Sequence, residues 1–199
     1  ADPMKGQAAM ITRMDRRIGE LLAQLNRLGL DQRTLVIFSS DNGPHQEGGH
    51  HVAQFQSNAG LTGMKRDLTE GGVRVPFIAR WPGKIEPGAV SEHVSGFVDF
   101  LATCAEIAGT KVPVETDGIS YLPTLLGKND AQRQHPCLFW NFLEQGGKRS
   151  VLQWPWKLIH LNTGAAEVKP GKGPAAPKPV VVELYNLEKD PAEEKNLAA

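Results

Sequence analysis

An apolar stripe followed by a short, wholly apolar run is the feature that most constrains the fold. The stripe recurs at alternating spacings of three and four residues, which places it on one face of a helix. Its members are Ile11, Met14, Ile18, Leu21, Leu25 and Leu28. Residues 35–38, Leu-Val-Ile-Phe, are typical of a strand covered on both faces. A helix that leads into such a strand predicts an α/β sheet.

Later patterns extend this architecture along the chain. Apolar residues at helical spacing predict a second helix over residues 94–108. Residues 75–81 are expected to form a strand, in which Pro76 indicates either the start of the strand or an edge position. Short aromatic or β-branched runs separated by turn residues predict a small antiparallel sheet, at residues 137–142, 149–154, 156–161 and 180–185. We therefore expect an α/β core over residues 1–130 and a small subdomain over residues 131–199.

Two further segments of the predicted subdomain have their own signals. Residues 163–179 are rich in Gly, Pro, Lys and Ala, which predicts an exposed hairpin loop. Asp190, Pro191 and Glu193 match a helix N-cap, a proline at the first helical position and an acid at the third. A short terminal helix is therefore predicted to begin at Asp190.

Composition excludes several classes of function. Lys plus Arg and Asp plus Glu both number 22, so the formal net charge is zero, and without a basic block nucleic acid is not an expected partner. The longest aliphatic and aromatic run, residues 35–38, is far shorter than the roughly 20 residues that span a bilayer. Cys104 and Cys137 lie among apolar neighbours, which predicts buried free thiols.

Asp41 and Asn42 directly follow the predicted strand at residues 35–38. Ligands of α/β sheets gather beyond the carboxyl ends of strands, and carboxylate and amide oxygens suit Ca²⁺ or Mg²⁺. The alternative is that Asp-Asn-Gly is only a turn signal, with Asn42 and Gly43 present for positive φ angles. These residues alone leave both interpretations open.

Three histidines follow in the same glycine-rich stretch. His45, His50 and His51, together with Glu47, include the ligand types of a zinc site, but their spacing matches none of the familiar zinc patterns. Solvent-facing or substrate-contacting roles are favoured instead. Of the three, His45 is of most interest because it is nearest to the Asp-Asn pair.

Residues 63–76 form the densest group of charged and glycine residues. Lys65 and Arg66 are two fixed cations that would stabilise a tetrahedral oxyanion ester and the charge that develops on its leaving oxygen. The alternative is that both cations are solvated loop charges and that Glu70-Gly71-Gly72 forms a tight turn.

Four segments appear in the order and spacing of the arylsulfatase family of the alkaline phosphatase superfamily. They are residues 8–15, 36–44, 63–80 and 184–193, and the third contains Gly-x-Lys-x-x-x-x-Glu-Gly-Gly-x-Arg-x-Pro. The chain resembles this family over nearly all of its 199 residues. The resemblance implies part of an alkaline phosphatase-like sheet with flanking helices, in a sulfuric ester hydrolase.

The resemblance also implies a site chemistry. A calcium ion and lysines hold the sulfate group of a sulfate ester while a formylglycine hydrate attacks sulfur. By similarity, Asp41 and Asn42 are calcium ligands, and Lys65 binds the sulfate oxygens and stabilises the leaving oxygen. His45 is a neighbour of the substrate. Members of the family commonly work in the periplasm, the lysosome or outside the cell, and the sequence does not select among these.

The sequence departs from the family pattern because it lacks the motifs that form the first half of the site. No Cys/Ser-x-Pro-x-Arg, from which formylglycine is made, and no Asp-Asp pair occurs in the 199 residues, and the first histidine is His45. The chain therefore resembles the C-terminal portion of a sulfatase. Because calcium takes about 6 to 8 oxygens, we expect this chain alone to bind metal weakly or not at all and to be inactive. A missing N-terminal segment or self-association is expected to cover the apolar surface of Val36, Ile37 and Phe77.

Two other functions fit parts of the same pattern. One is a phosphodiester or phosphonate monoester hydrolase of the same superfamily, since one oxyanion pocket serves either ester. The other is a non-catalytic binding module, which the absence of the nucleophile motif favours. Assays of the intact protein on matched aryl sulfate and phosphodiester substrates distinguish the first alternative from a sulfatase. A search of the coding sequence upstream of Ala1 for Cys/Ser-x-Pro-x-Arg distinguishes the second.

Overall fold

The computed structural model describes residues 2–164 and 178–198. The helices among them are α1 (Pro3–Arg27), α2 (Val52–Phe55), α3 (Glu70–Val73), α4 (Asp99–Ile107) and α5 (Leu122–Leu125). The strands are β1 (Val36–Ser39), β2 (Phe77–Arg80), β3 (Leu138–Phe142), β4 (Lys148–Gln153), β5 (Trp156–Leu161) and β6 (Val181–Asn186).

The chain forms two compact units. The first contains Ala1–Gln7, Ser40–Pro76 and Cys137–Ala199, as far as these are described, and the second contains Ala8–Ser39 and Phe77–Pro136. Compactness thus groups residues 40–76 with the C-terminal sheet. The expected domain boundary near residue 130 of this chain stays a prediction.

The second unit contains a two-stranded antiparallel sheet. β1 pairs with β2 from Val36 opposite Arg80 to Ser39 opposite Phe77. The guanidinium of Arg80 donates to both carboxylate oxygens of Asp31, at 2.6 and 3.1 Å, and so joins the end of β2 to the turn before β1. All four residues of β1 are half-buried, so the expected full cover on both faces is not present in the described part of the chain.

Helix α1 forms over the apolar stripe, as predicted, but its apolar face is largely uncovered, with only Ile18 and Leu25 of the stripe half-buried. Met10 is 68% exposed and Leu21 is 54% exposed, and Met4 is the only buried residue of this helix. Phe77 in β2 is 44% exposed, in agreement with the expectation of poorly covered apolar surface. No described helix combines the length and apolarity needed to cross a membrane.

Helix α4 is shorter than the predicted helix over residues 94–108. The buried carboxylate of Asp99 accepts from the amides of Gly96 and Ile119, both at 2.8 Å, and from His135 Nε2 at 2.7 Å. These bonds hold residues 96–99 in a turn, so the helix begins only at Asp99. It ends as predicted, with Gly109 at a φ of +66°.

The C-terminal sheet of the first unit confirms the predicted strands. Strands β3, β4, β5 and β6 lie in sequence order, and each antiparallel pair is formed by neighbours along the chain. The observed bounds agree with the predicted runs to within one residue. Within β5, Lys157 and Ile159 are buried, so both point to the covered face of the sheet.

Three smaller expectations have different outcomes. The predicted terminal helix is wrong, because the described residues after β6 form turns and Glu193 adopts a φ of +57°, which interrupts a helix. The prediction of buried thiols is also wrong, because Cys104 and Cys137 are both exposed and free. The predicted loop at residues 163–179 lies mostly outside the described residues.

Candidate functional site

The segment after β1 and the segment that contains Lys65 lie side by side in the first unit. The amide of Lys65 donates to the carbonyl oxygen of Pro44 at 2.8 Å, and the amide of Gly43 donates to the carbonyl oxygen of Gly72 at 2.9 Å. The backbone therefore places the residues flanking Asp41 and Asn42 against both ends of residues 65–72.

Gly43 is present for close packing of the backbone. A Cβ atom built on Gly43 would lie 1.9 Å from the carbonyl oxygen of Gly71, far inside contact distance. Neither Asn42 nor Gly43 is among the described residues with positive φ. The turn interpretation of Asp-Asn-Gly required such angles, so the geometry does not support it. A Cβ on Gly72 would likewise lie 2.2 Å from the carbonyl oxygen of Asp67.

Asp41 and Asn42 offer two hard oxygen donors. The Asp41 side chain is exposed, and Asn42 is half-buried with its Nδ2 donating to the carbonyl oxygen of Gly43 at 2.8 Å. That bond leaves the amide oxygen of Asn42 for another partner. In the described residues, no group of three or more His, Cys, Asp or Glu side chains is arranged to hold a metal ion. The donor chemistry suits calcium, but two ligands are too few.

Lys65 is the unneutralised cation of this loop. Its side chain is half-buried, and no hydrogen bond or ion pair to its ammonium is found in the described part of the chain. Its neighbours are paired: Arg66 Nε lies 3.3 Å from Glu144 Oε2, and Lys148 Nζ lies 3.1 Å from Asp67 Oδ1. The positive charge of Lys65 is therefore available to an anionic ligand.

Lys148 holds the loop around Lys65 in place. Its Nζ donates to the carbonyl oxygen of Arg66 at 2.9 Å, while Asp67 Oδ2 accepts from the amide of Met64 at 3.1 Å. Arg66 has a φ of +78°, a left-handed conformation that a non-glycine residue seldom adopts. Sequence reasoning missed Lys148, and nothing in its local sequence distinguishes it from a surface lysine.

The three histidines have different surroundings. Nε2 of His45 lies 3.3 Å from Arg66 NH1, and its Nδ1 lies 3.1 Å from the amide of Glu47. A neutral imidazole has one acceptor nitrogen, so only one of these contacts is a hydrogen bond at a time. His50 is buried, with its Nε2 3.2 Å from Ser57 Oγ, and His51 is exposed.

A buried ionic cluster lies next to the signature Glu-Gly-Gly. Lys157 Nζ lies 2.7 Å from Glu70 Oε1 and 3.2 Å from Glu193 Oε1, and the side chains of Lys157 and Glu193 are fully buried. Glu193 Oε2 accepts from the amide of Glu70. Burial raises the pKa of Glu193, and the charge of Lys157 only partly offsets this. Sequence reasoning missed Lys157 and Glu193, although two-residue alternation in β5 puts Lys157 on the same face as Ile159.

Known proteins match the chain along nearly its whole length. The family model described as Sulfatase matches residues 2–110, and the model described as N-sulphoglucosamine sulphohydrolase, C-terminal, matches residues 63–168. Human arylsulfatase A is 34% identical over 92% of this chain and 37% of its own length. The N-acetylgalactosamine-6-O-sulfatase of Bacteroides thetaiotaomicron is 30% identical over 95% of this chain and 37% of its own.

Solved structures support the same conclusion. A structure described under the metabolism of multiple glycosaminoglycans by Bacteroides thetaiotaomicron has a TM-score of 0.64 at 27% identity, and covers 93% of this chain and 39% of that one. This likeness confirms the predicted α/β fold class. The chain thus spans somewhat more than a third of the length of these relatives and corresponds to a C-terminal portion. Because the sulfatase model covers more than half of the chain, the chain belongs to the sulfatase family.

Proposed function

We propose that this chain carries the sulfate-binding part of an enzyme that hydrolyses sulfate esters. The observation that carries the proposal is the ammonium of Lys65, which has no hydrogen-bond or ion-pair partner among residues 2–164 and 178–198 and lies on a loop bonded to the segment after β1. A fixed cation in a half-buried position favours a tetrahedral sulfate and the charge on the leaving oxygen during cleavage. The likeness to arylsulfatase A and to the N-acetylgalactosamine-6-O-sulfatase supports this ester class.

Asp41 and Asn42 would hold a calcium ion in the whole enzyme. The bound ion would supply positive charge to the sulfate oxygens. Two protein oxygens are well below the 6 to 8 that calcium takes, so the remaining ligands and the formylglycine would come from sequence that the 199 residues do not contain. We therefore propose that the 199-residue chain by itself binds calcium weakly and does not turn over esters.

His45 would contact the substrate near Lys65. Its ring meets the guanidinium of Arg66, the residue next to Lys65, and Arg66 in turn pairs with Glu144. An imidazole and a guanidinium would then lie beside the proposed sulfate position.

The experiment that tests the proposal measures turnover of the longest reading frame that contains this sequence. Lys65→Ala should lower turnover of an aryl sulfate by on the order of 10²-fold, because a preorganised charge is lost. Lys189→Ala is the matched control, since Lys189 is exposed on a turn. Equal turnover in the Lys65 variant and the control would refute the assignment. Faster cleavage of a matched phosphodiester by the unmodified enzyme would refute the ester class.

The uncovered apolar face of α1 is proposed to pack against the rest of the sulfatase fold. Residues along this face are exposed, at Met10, Ile11, Met14, Leu21 and Leu28. Exposed patches of this kind mark contact surfaces. The isolated chain should therefore self-associate in light scattering, and Ile11→Glu should reduce the association. A monomer that is unchanged by Ile11→Glu would contradict this proposal.

A further inference from the structure

The buried cluster of Lys157, Glu70 and Glu193 lies within a chain of contacts that ends at the proposed sulfate site. Lys157 belongs to β5, Glu70 opens α3, and Glu193 lies in the turn after β6. The three residues are separated by up to 123 positions in the sequence, so only the tertiary fold brings them together. None of the three is among the residues proposed to touch the ester or the metal.

The charges in the cluster are balanced only when Arg74 is included. Glu70 and Glu193 supply two carboxylates, and Lys157 supplies one fully buried ammonium. Arg74 NH1 lies 3.7 Å from Glu70 Oε2 and is half exposed. Buried carboxylates are tolerated when paired and hydrogen-bonded, and removal of one partner leaves an uncompensated charge.

Helix α3 connects this cluster to the site. The amide of Glu70, at the start of the helix, donates to Glu193 Oε2. One residue later, the amide of Gly71 donates to the carbonyl oxygen of Thr62 at 2.7 Å, and the carbonyl oxygen of Gly72 accepts from the amide of Gly43. A shift of α3 would therefore move the backbone on both sides of the site.

The second connection runs from Gly43 to Lys65. Gly43 is in contact with Gly71 so closely that no Cβ fits between them, and Pro44 accepts from the amide of Lys65. The proposed oxygen donors directly precede Gly43, and the proposed cation is bonded through its amide to Pro44. Both therefore depend on the same hydrogen-bonded layer, which consists of residues 43–44, the amide of Lys65 and the Gly71-Gly72 backbone. The position of α3 fixes that layer.

We propose that Lys157 and Glu193 are positioning residues, which clamp α3 from the C-terminal sheet and so hold Asn42 and Lys65 in register for a sulfate ester. The role in holding a sulfate ester rests on the proposed function, whereas the clamp itself rests on contacts within this chain. It explains the Glu of the Glu-Gly-Gly signature as an anchor for the backbone. The two glycines allow the backbone of α3 to approach residues 62–67, because a Cβ on Gly71 would lie 2.4 Å from the carbonyl oxygen of Gly63 and a Cβ on Gly72 would lie 2.2 Å from that of Asp67.

Amide hydrogen exchange of the 199-residue chain tests the proposal without any ligand. The reporters are the amides of Gly43 and Lys65, and the reference amides are those in the centre of β4. In Glu193→Ala, which removes the acceptor of the Glu70 amide, protection of both reporters should fall by about tenfold or more while β4 is unchanged. Glu193→Gln keeps an acceptor oxygen, so its reporters should stay within about threefold of wild type. Glu194→Ala is the matched exposed control.

A second pair of variants tests the clamp through its charges. Lys157→Met leaves Glu70 and Glu193 without the ammonium and should reduce protection of the Gly43 and Lys65 amides. Adding Glu193→Gln to Lys157→Met removes one carboxylate and should restore much of that protection. If Lys157→Met does not fold, recovery of a folded chain on adding Glu193→Gln supports the charge argument equally well.

The outcomes separate the clamp from a general effect on folding. Unchanged reporters in a folded Glu193→Ala variant would overturn the proposal, as would equal losses at the reporters and in β4. A double variant worse than Lys157→Met would overturn the charge argument. None of these measurements depends on sulfate binding, so failure of the Lys65→Ala turnover test would leave their interpretation unaffected.

Discussion

Replacing Gly43 by alanine should destabilise the first unit strongly, because the backbone leaves no space for a methyl group. The new Cβ would lie 1.9 Å from the carbonyl oxygen of Gly71 and 2.9 Å from its carbonyl carbon. Ordinary contact begins near 3.4 Å, so the two segments must separate by about 1.5 Å. Overpacking of this kind costs about 1–3 kcal/mol. Loss of the hydrogen bond from Gly43 to Gly72 adds about 1 kcal/mol.

Denaturant unfolding followed by tryptophan fluorescence measures the effect. Three of the four tryptophans lie in the first unit, at Trp140, Trp154 and Trp156, so the signal reports mainly on that unit. We expect Gly43→Ala to lower the free energy of unfolding by about 2–4 kcal/mol. Gly6→Ala is the matched control in the same unit: no atom lies within 4 Å of its Cβ position, and alanine within α1 should stabilise by about 0.5–1 kcal/mol. A Gly43 variant as stable as wild type would refute the close approach.

Two further predictions concern the dependence of stability on pH. The hydrogen bond from Arg80 holds the pKa of Asp31 below its ordinary value, so the stability from this pair is present above about pH 4 and is lost as the pH falls through the lowered pKa. Unfolding curves of Asp31→Asn should therefore converge with those of wild type in acid, and a constant difference down to pH 2 would contradict the pairing. Burial raises the pKa of Glu193 above its ordinary value of 4.5. The stability that protonated Glu193 contributes is therefore fully present below pH 4.5 and is lost as the pH rises through the folded-state pKa. As the pH rises from 4.5 through the folded-state pKa, the free energy of unfolding of Glu193→Gln minus that of wild type should increase. The same difference for Glu194→Gln should not change with pH.

Local patterns predicted most of the secondary structure. The stripe from Ile11 to Leu28 predicted α1, and alternating short runs predicted β3 to β6 to within one residue. These patterns succeed because helix and strand periodicity depend on residues only a few positions apart. The Asp190 signal failed for a tertiary reason, since the buried contacts of Glu193 with Lys157 and Glu70 accompany a backbone conformation that no helix accommodates.

The candidate site was only partly predictable. The oxygen donors at Asp41 and Asn42 follow a recognisable strand, and Lys65 lies in a signature that the family resemblance interprets. The packing role of Gly43 was not predictable, because the Asp-Asn-Gly signal is equally typical of a turn with positive φ. Lys148 also gave no signal, since its partners at Arg66 and Asp67 lie more than 80 positions away in the sequence.

The amino-acid sequence by itself determined the long helix α1, the six strands and the family to which the chain is similar. Tertiary structure alone decided which loop cation has no partner within the described part of the chain and which glycine is required for close backbone contact. It also decided that Lys157, a lysine in an ordinary strand pattern, is fully buried between two carboxylates. The physical reason is range: periodicity depends on neighbours within a few residues, whereas ion pairing and backbone contact depend on packing between distant segments.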